Sequence, residues 1–352
     1  MVEIRAFDGD LQEVSDLIKA SWAEDYQGAY KQPVMDYSSI DLLKWNLKRP
    51  NSDPDLLVGA YDGIKLVAFA AGFPHQTRYN DKVFKSVAAS FLTTHTDYKK
   101  RGIGKSIGKA FLGGAKKRYD IVTCVPDEGH AVERALENLS HTMNVGFLKL
   151  HRFTFLSKPL DKKKLLELAD LPLYQKIGMQ LFTKKTSAVK REIYEVESEK
   201  DIRSICQMLN SSYHPNTLAV NWDEDMLATR LRSRISNSLY INRNGRKGFI
   251  NYYNMALIGC RSTPKVHKIT MIDNVQFENM SFFEKHRFIS DFCASQKKHG
   301  SCIINIPTSP AFDLTPFYSN TFLPSGRYHS YCVQDLHSKL GDNVQAGYLF
   351  LC

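Results

Sequence analysis

The sequence predicts an α+β fold in two successive domains, each a mixed sheet flanked by helices. Three observations predict it. Short apolar runs of strand length alternate with segments whose apolar residues recur every three or four positions, the periods of strand and helix. One strand passes into a helix through a basic, glycine-rich turn. The order of elements in the first half then starts again near residue 190, an internal repeat. At 352 residues, the chain suits two domains of roughly 150 each. The expected division is 1–158, a helical connector 159–188, and 189–352.

Val2 to Phe7 reads as a first strand. Asp10 or Asp8 caps a helix from Leu11 to Glu24, whose apolar face is Leu11, Val14, Leu17, Ile18 and Trp22. Ser38 or Ser39 caps a second helix, Ile40 to Leu47, which stops before Pro50. Leu56 to Tyr61 and Lys65 to Phe73 form a hairpin around Asp62-Gly63, a good turn dipeptide. Val83 to Thr94 is a strand, followed by the basic turn and a helix to about Lys117. Asp120 to Val125 and Leu148 to Leu156 are strands on either side of a helix, Ala131 to His141. The connector holds a lysine-rich helix, Leu160 to Leu168, and the segment Leu171 to Phe182. The second half begins with a strand at Arg191 to Val196 and helices at Glu199 to Leu209 and Asp223 to Ile235. A hairpin follows, Ser238 to Arg243 and Gly248 to Leu257. Then come a strand His267 to Val275, a helix Ser281 to Lys298, a strand Cys302 to Ile306, a helical turn Phe312 to Tyr318, and a strand Arg327 to Asp335.

The basic turn is where chemistry is expected. The first turn of a helix has unsatisfied N–H groups and the positive end of the macrodipole. Gly102 and Gly104 let a ligand approach that backbone, and Lys99, Lys100, Arg101 and Lys105 favour an anion. The physical reading is a phosphate or pyrophosphate site. Spacing separates the users of such a turn. A Walker A loop would need glycine at position 99, which is Lys, and a dinucleotide fingerprint would need glycine at 107, which is Ile. Lys99-Lys100-Arg101-Gly102-Ile103-Gly104 resembles instead the acyl-CoA turn of the GNAT N-acetyltransferase family, with Lys at its first position, where Gln or Arg is usual. The element order β-α-α-β-β-β-α-β-α-β of the first half is also that of a GNAT domain. The resemblance implies two GNAT-like (acyl-CoA N-acyltransferase) domains in tandem. In the second half it rests on order alone. The corresponding junction, Gln276 to Ser281, has neither glycine nor basic residues and carries Glu278, so no CoA is expected there.

Composition limits the setting. The chain has no apolar run of about 18 residues, so no transmembrane helix is expected. Met1 to Asp8 carries early charges and no apolar core, so it does not read as a signal peptide. Seven scattered cysteines with no C-x-x-C pair argue against a disulfide framework and a zinc site, and suit a reducing cytoplasm. The net charge of +10 suits an anionic ligand, and keeps a nucleic-acid-associated modifier as a third reading. Monomer and homodimer both fit.

The resemblance implies direct acyl transfer from acetyl-CoA, or a longer acyl-CoA, to an amine on a small molecule or protein, without a metal. The cofactor-binding residues would be Leu92, Thr93 and Thr94 of the strand, holding the pantetheine through the backbone, with Lys99, Lys100, Arg101, Gly102, Ile103, Gly104 and Lys105 of the turn. The family's leaving-group Tyr falls on Thr142, too weak an acid to replace it. Three groups are candidates for the proton work. His141 titrates near neutrality, but is equally a helix-terminal His at the dipole's negative end. Glu128, with His130, follows the fifth strand, or merely caps the next helix. The third is the α-carboxylate of Cys352. The last residues, Ala346 to Cys352, are unusually apolar. Some tandem GNAT enzymes, the N-myristoyltransferases among them, use a C-terminal carboxylate in this way. Its alternative is an edge strand that only packs. Cys124 reads as a small buried hydrophobe, and Tyr318 as core. The rival to an enzyme is an inactive CoA-binding sensor.

Overall fold

The computed structural model describes residues 2–24, 27, 32–37, 40–47, 51–169, 198–211, 216–261, 263–337, 339–341 and 344–347. The expected caps Ser38 and Ser39, the segment Leu171 to Phe182, the strand Arg191 to Val196, and Cys352 lie outside these residues.

In chain order the first half contains β1 (Val2–Ala6), α1 (Leu11–Trp22), β2 (Val34–Met35), α2 (Ile40–Leu47), β3 (Leu57–Asp62), β4 (Lys65–Tyr79), β5 (Lys82–Thr94), α3 (Ile103–Lys116), β6 (Ile121–Cys124), α4 (Ala131–Met143), β7 (Gly146–Pro159) and α5 (Lys162–Leu168). The second half contains α6 (Glu199–Ser211), β8 (Thr217–Val220), α7 (Glu224–Leu231), β9 (Ser236–Arg243), β10 (Arg246–Ile258), β11 (Val266–Glu278), α8 (Phe282–Lys298), β12 (Ile303–Pro307), α9 (Thr315–Ser319), β13 (Leu323–Asp335) and β14 (Gln345–Ala346).

Local chemistry explains the elements that frame the site. Asp10 caps α1 in a capping box with Glu13. β4 runs beyond its expected end at Phe73 to Tyr79, where Asn80 and Asp81, with φ of 47° and 61°, turn the chain back into β5. Paired positive φ values match the twist of the flanking strands. α3 buries Ile103, Ile107, Phe111 and Leu112 against β3, β4 and β5. Burying each such side chain is worth about 1.5–3 kcal/mol.

The described strands form a single sheet. Its order is β1-β3-β4-β5-β6-β13-β7-β12-β11-β10-β2, with β9 on β10 and β8 joining β4 to β14. β5 and β6 are parallel, and so are β11 and β12, so each half repeats one pattern. The halves exchange strands where they meet. β13, from the second half, lies antiparallel to β6. β7, from the first half, lies antiparallel to β12. β7 and β13 pair with one another at the centre. The largest buried cluster runs through both halves, joining Leu43, Phe69 and Phe91 to Phe249, Phe292 and Phe317. Among the described residues no helix is long and apolar enough to cross a membrane.

Candidate acyl-CoA site

The basic turn lies where the sequence places it, between β5 and α3. Lys100 and Gly102 have φ of 63° and 79°, so the backbone curls ahead of the helix. Such a curl gathers N–H groups into an anion-binding hollow. Gly102 caps α3 with no side-chain hydrogen bond, and the first turn carries no acid. The helix end is thus left to a ligand. Gly104 is a close-approach position: a Cβ there would meet only Thr94 Oγ1, at 3.5 Å. The corresponding end of α8 is already filled. Ser281 and Glu284 form a capping box, and Glu284 also meets Arg246. Hydrogen bonds from the Ser281 backbone and hydroxyl, then Arg246, hold the Glu284 carboxyl down at about 2.

β5 is irregular just before the turn. Phe69 pairs with Thr93 and Ala71 with Ser90, leaving Phe91 and Leu92 opposite Ala70 alone. This is a β-bulge, which interrupts the ladder and re-aims the backbone. Phe91 has φ of 54°, a strained value for an aromatic residue. Edge contacts to Tyr37 and Phe73, with ring centroids 5.4 and 6.1 Å away, hold it there. Strain of this kind collects at functional sites.

A cavity of about 1110 Å³ connects these features. That exceeds the roughly 300–1,000 Å³ common for ligand sites. It runs from the turn, past the bulge, between the diverging ends of β5 and β6, with α3 and α4 as walls. Ala70, Ala71, Ala88 and Ala89 keep its floor open. Of the ten positions expected to bind the cofactor, all except Arg101 line it. Arg101 lies instead over the Tyr98 ring, 4.9 Å from its centroid.

The proton-transfer candidates fare differently. His141 is exposed on the last turn of α4 and lines the cavity. Glu128 does not line it. Its carboxylate shares the single Arg152 Nε–H, whose nitrogen lies 2.9 and 2.8 Å from the two oxygens. Cys352 lies outside the described residues. The last described residues are tied to the fold: β14 pairs with β8, Ala346 is buried, and the Gly347 carbonyl accepts from Ser309 Oγ at 3.2 Å. Thr142 donates its hydroxyl to Asn138 O at 2.9 Å. The Cys124 thiol donates to Cys332 O, and the neighbouring Cys332 thiol, then burial, push it well up, so it stays protonated. Tyr318, expected in the core, is half exposed.

Sequence reasoning missed one group. Asp127, lining the cavity, pairs with Arg327 and with His329 Nδ1 at 2.9 Å. Burial pushes its carboxyl up, but the His329 hydrogen bond and the Arg327 charge outweigh that and hold it at about 2. Some two hundred residues separate the partners, and no local motif joins them. Glu133 fixes the same loop, accepting from Gly129 N and Ser330 Oγ at 2.9 and 2.8 Å.

The fold is that of the GNAT-like acyl-CoA N-acyltransferases, in two lobes. The chain is similar to a crystal structure of Saccharomyces cerevisiae N-myristoyltransferase with bound myristoyl-CoA, with a TM-score of 0.77 at 16% identity, covering 99% of this chain and 89% of that one. It is also similar to a GCN5-related N-acetyltransferase from Anabaena variabilis, with a TM-score of 0.54 at 9% identity, covering 96% and 73%. Residues 2–109 match the family model described as Myristoyl-CoA:protein N-myristoyltransferase, N-terminal domain. A glycylpeptide N-tetradecanoyltransferase of Mycosarcoma maydis is 36% identical over 90 residues, 25% of this chain and 12% of that protein. A Melanoplus sanguinipes entomopoxvirus protein, provisionally given the same name, is 33% identical over 64 residues, 18% of this chain and 22% of its own length.

Proposed function

We propose that the chain is an acyl-CoA-dependent N-acyltransferase that moves a tetradecanoyl group from CoA to the N-terminal glycine amine of a protein. The observation that carries this is the cavity, which joins an uncapped, basic helix end to a strained bulge and then to an alanine-lined floor. Each part has a task. The turn holds the CoA pyrophosphate through N–H groups and the helix dipole. The bulge offers backbone N–H groups towards the thioester oxygen, the place where charge develops. The small residues beyond leave length for an aliphatic chain. The N-myristoyl specificity draws support from the matched family model and the similar stretches in the two curated relatives. The second lobe closes the acceptor side and binds no CoA, since its own Glu284 fills the equivalent helix end. A cytoplasmic setting belongs to the same proposal, supported by the scattered cysteines.

The test is thiol release by the native chain with CoA esters from acetyl to hexadecanoyl, plus a peptide with N-terminal glycine. We expect release only with peptide, and best near fourteen carbons. Tight acyl-CoA binding without peptide-dependent release would make the chain a binding protein instead. Best release with acetyl-CoA would remove the long-chain assignment.

A further inference from the structure

Among the described residues, one that lines the cavity comes from the second lobe. Gln334 of β13 is only 1% exposed. It pairs with Val122 of β6, and Val122 with Val87 of β5. Neither valine lines the cavity, and among the described residues nothing farther from the basic turn on β5, β6 or β13 does. On the sheet side the cavity therefore ends at Gln334. Phe91, at the bulge, is four residues from Val87 along β5, about 13 Å at roughly 3.3 Å per residue. That is much farther than an acetyl group reaches from the thioester, and it suits a long aliphatic chain.

The way there is apolar, and its end is not. Ala89, Cys124 and Leu136 line the cavity between the bulge and Gln334, and Leu136 shares a buried cluster with Cys124 and Cys332. Ala89 pairs with Cys124, and Cys124 with Cys332. Side chains two residues apart on a strand share a face, so Gln334 lies on the same face as Cys332. There its Nε2 donates to Ser140 Oγ of α4 at 2.7 Å. Ser140 is fully buried, and its hydroxyl donates to Leu136 O at 2.9 Å. The hydroxyl has one proton and gives it to that carbonyl, so it can only accept from the amide. The amide is thus held nitrogen-first against α4. It cannot turn aside without leaving a buried N–H unpaired among Leu136, Leu139 and Val122.

We propose that Gln334 is a specificity-determining residue that sets acyl chain length. Its amide, tied to α4 through Ser140, is the wall met by the terminal methyl of a tetradecanoyl chain. This rests on the acyl-transfer reading above. A shorter chain leaves apolar space unfilled before the wall. A longer chain must push the amide off Ser140 or leave methylenes outside the pocket. An apolar pocket alone separates chains differing by one methylene by about 10–200-fold. A hydrogen-bonded wall adds to that penalty on the long side.

The experiment measures binding by calorimetry, without peptide, of CoA and its esters from dodecanoyl to octadecanoyl. It uses the full native chain and Gln334→Ala. For the native chain we expect tetradecanoyl-CoA to bind tightest, and hexadecanoyl-CoA about tenfold or more weakly than that. Alanine removes the wall, so the variant is expected to bind hexadecanoyl-CoA tightest, with native affinity for CoA itself. A variant that keeps the native chain-length order overturns the proposal. So does a loss shared equally by CoA and every ester, since Gln334 would then touch the CoA portion or only support the fold. Should Gln334→Ala fail to fold, Ser140→Ala keeps the amide but unties it, and must lessen the penalty on hexadecanoyl-CoA; an unchanged penalty counts against the wall. If the native chain binds CoA and all the esters alike, the long-chain reading itself falls, and this one with it.

Discussion

Gly104 carries the sharpest residue-scale prediction. Its Cβ direction is open apart from Thr94 Oγ1, so Gly104→Glu leaves the fold intact while placing bulk and like charge against the pyrophosphate. Calorimetry is expected to show acyl-CoA binding lost, with native circular dichroism; unchanged affinity would remove the turn from the site. Gly108 sits differently. A Cβ there would lie 2.7 Å from Leu139 Cδ2, the far end of a flexible side chain that can turn aside. The helix propensity gained over glycine, about 1 kcal/mol, offsets that adjustment, so Gly108→Ala is expected to leave the thermal midpoint little changed, and a large drop would contradict this. Asp127 predicts a pH effect. Its folded value near 2 is below the ordinary 3.8, so the ion pair stabilises the fold above about pH 4 and fades as pH falls towards 2. Urea unfolding of the native chain and Asp127→Asn at pH 6 and pH 3 is expected to show a difference larger at pH 6 than at pH 3 by about 1 kcal/mol. A constant difference would mean the carboxylate is not the source. The basic turn was legible from residue types, because glycine and lysine before a helix have few other physical uses. The Phe91 bulge was not: nothing in an apolar strand announces a positive φ. The Asp127–His329 pair was hidden for another reason. It is made by topology, and neither residue carries a local pattern.

At the scale of elements, α3 and α8 are counterparts with opposite ends. α3 begins on an uncapped glycine, whereas α8 begins with a Ser281–Glu284 capping box. Ser281→Ala is expected to cost about 1 kcal/mol by urea denaturation, without creating a second acyl-CoA site. A second binding step in calorimetry of that variant would contradict the account. The order of helices and strands was legible because both periods are regular here. The extension of β4 from Phe73 to Tyr79 was less so. Pro74 and the polar residues after it hide a turn made by Asn80 and Asp81. The short strands β2, β8 and β14 pass unnoticed because two to four residues show no period.

The whole molecule depends on the strand exchange. The repeat of element order in the sequence shows two related halves. It does not show that β7 and β13 cross over to complete each other's lobe. This couples the acyl-CoA side to the second lobe: His329 and Arg327 reach Asp127 only because β13 lies against β6. It also explains how a lobe with no CoA turn of its own is needed for the site. The central claim is that one cavity, lined by the first lobe and by Gln334 of β13, serves acyl transfer to an N-terminal glycine. Mass spectrometry tests it most directly, with the native chain, tetradecanoyl-CoA, and two peptides differing only in a free or acetylated N-terminal glycine and each carrying an internal lysine. The account predicts one tetradecanoyl group on the glycine nitrogen of the free peptide, and none on the blocked peptide or with Gly104→Glu. Acylation of the blocked peptide on lysine, or no acylation of either by a chain that binds tetradecanoyl-CoA, would contradict it.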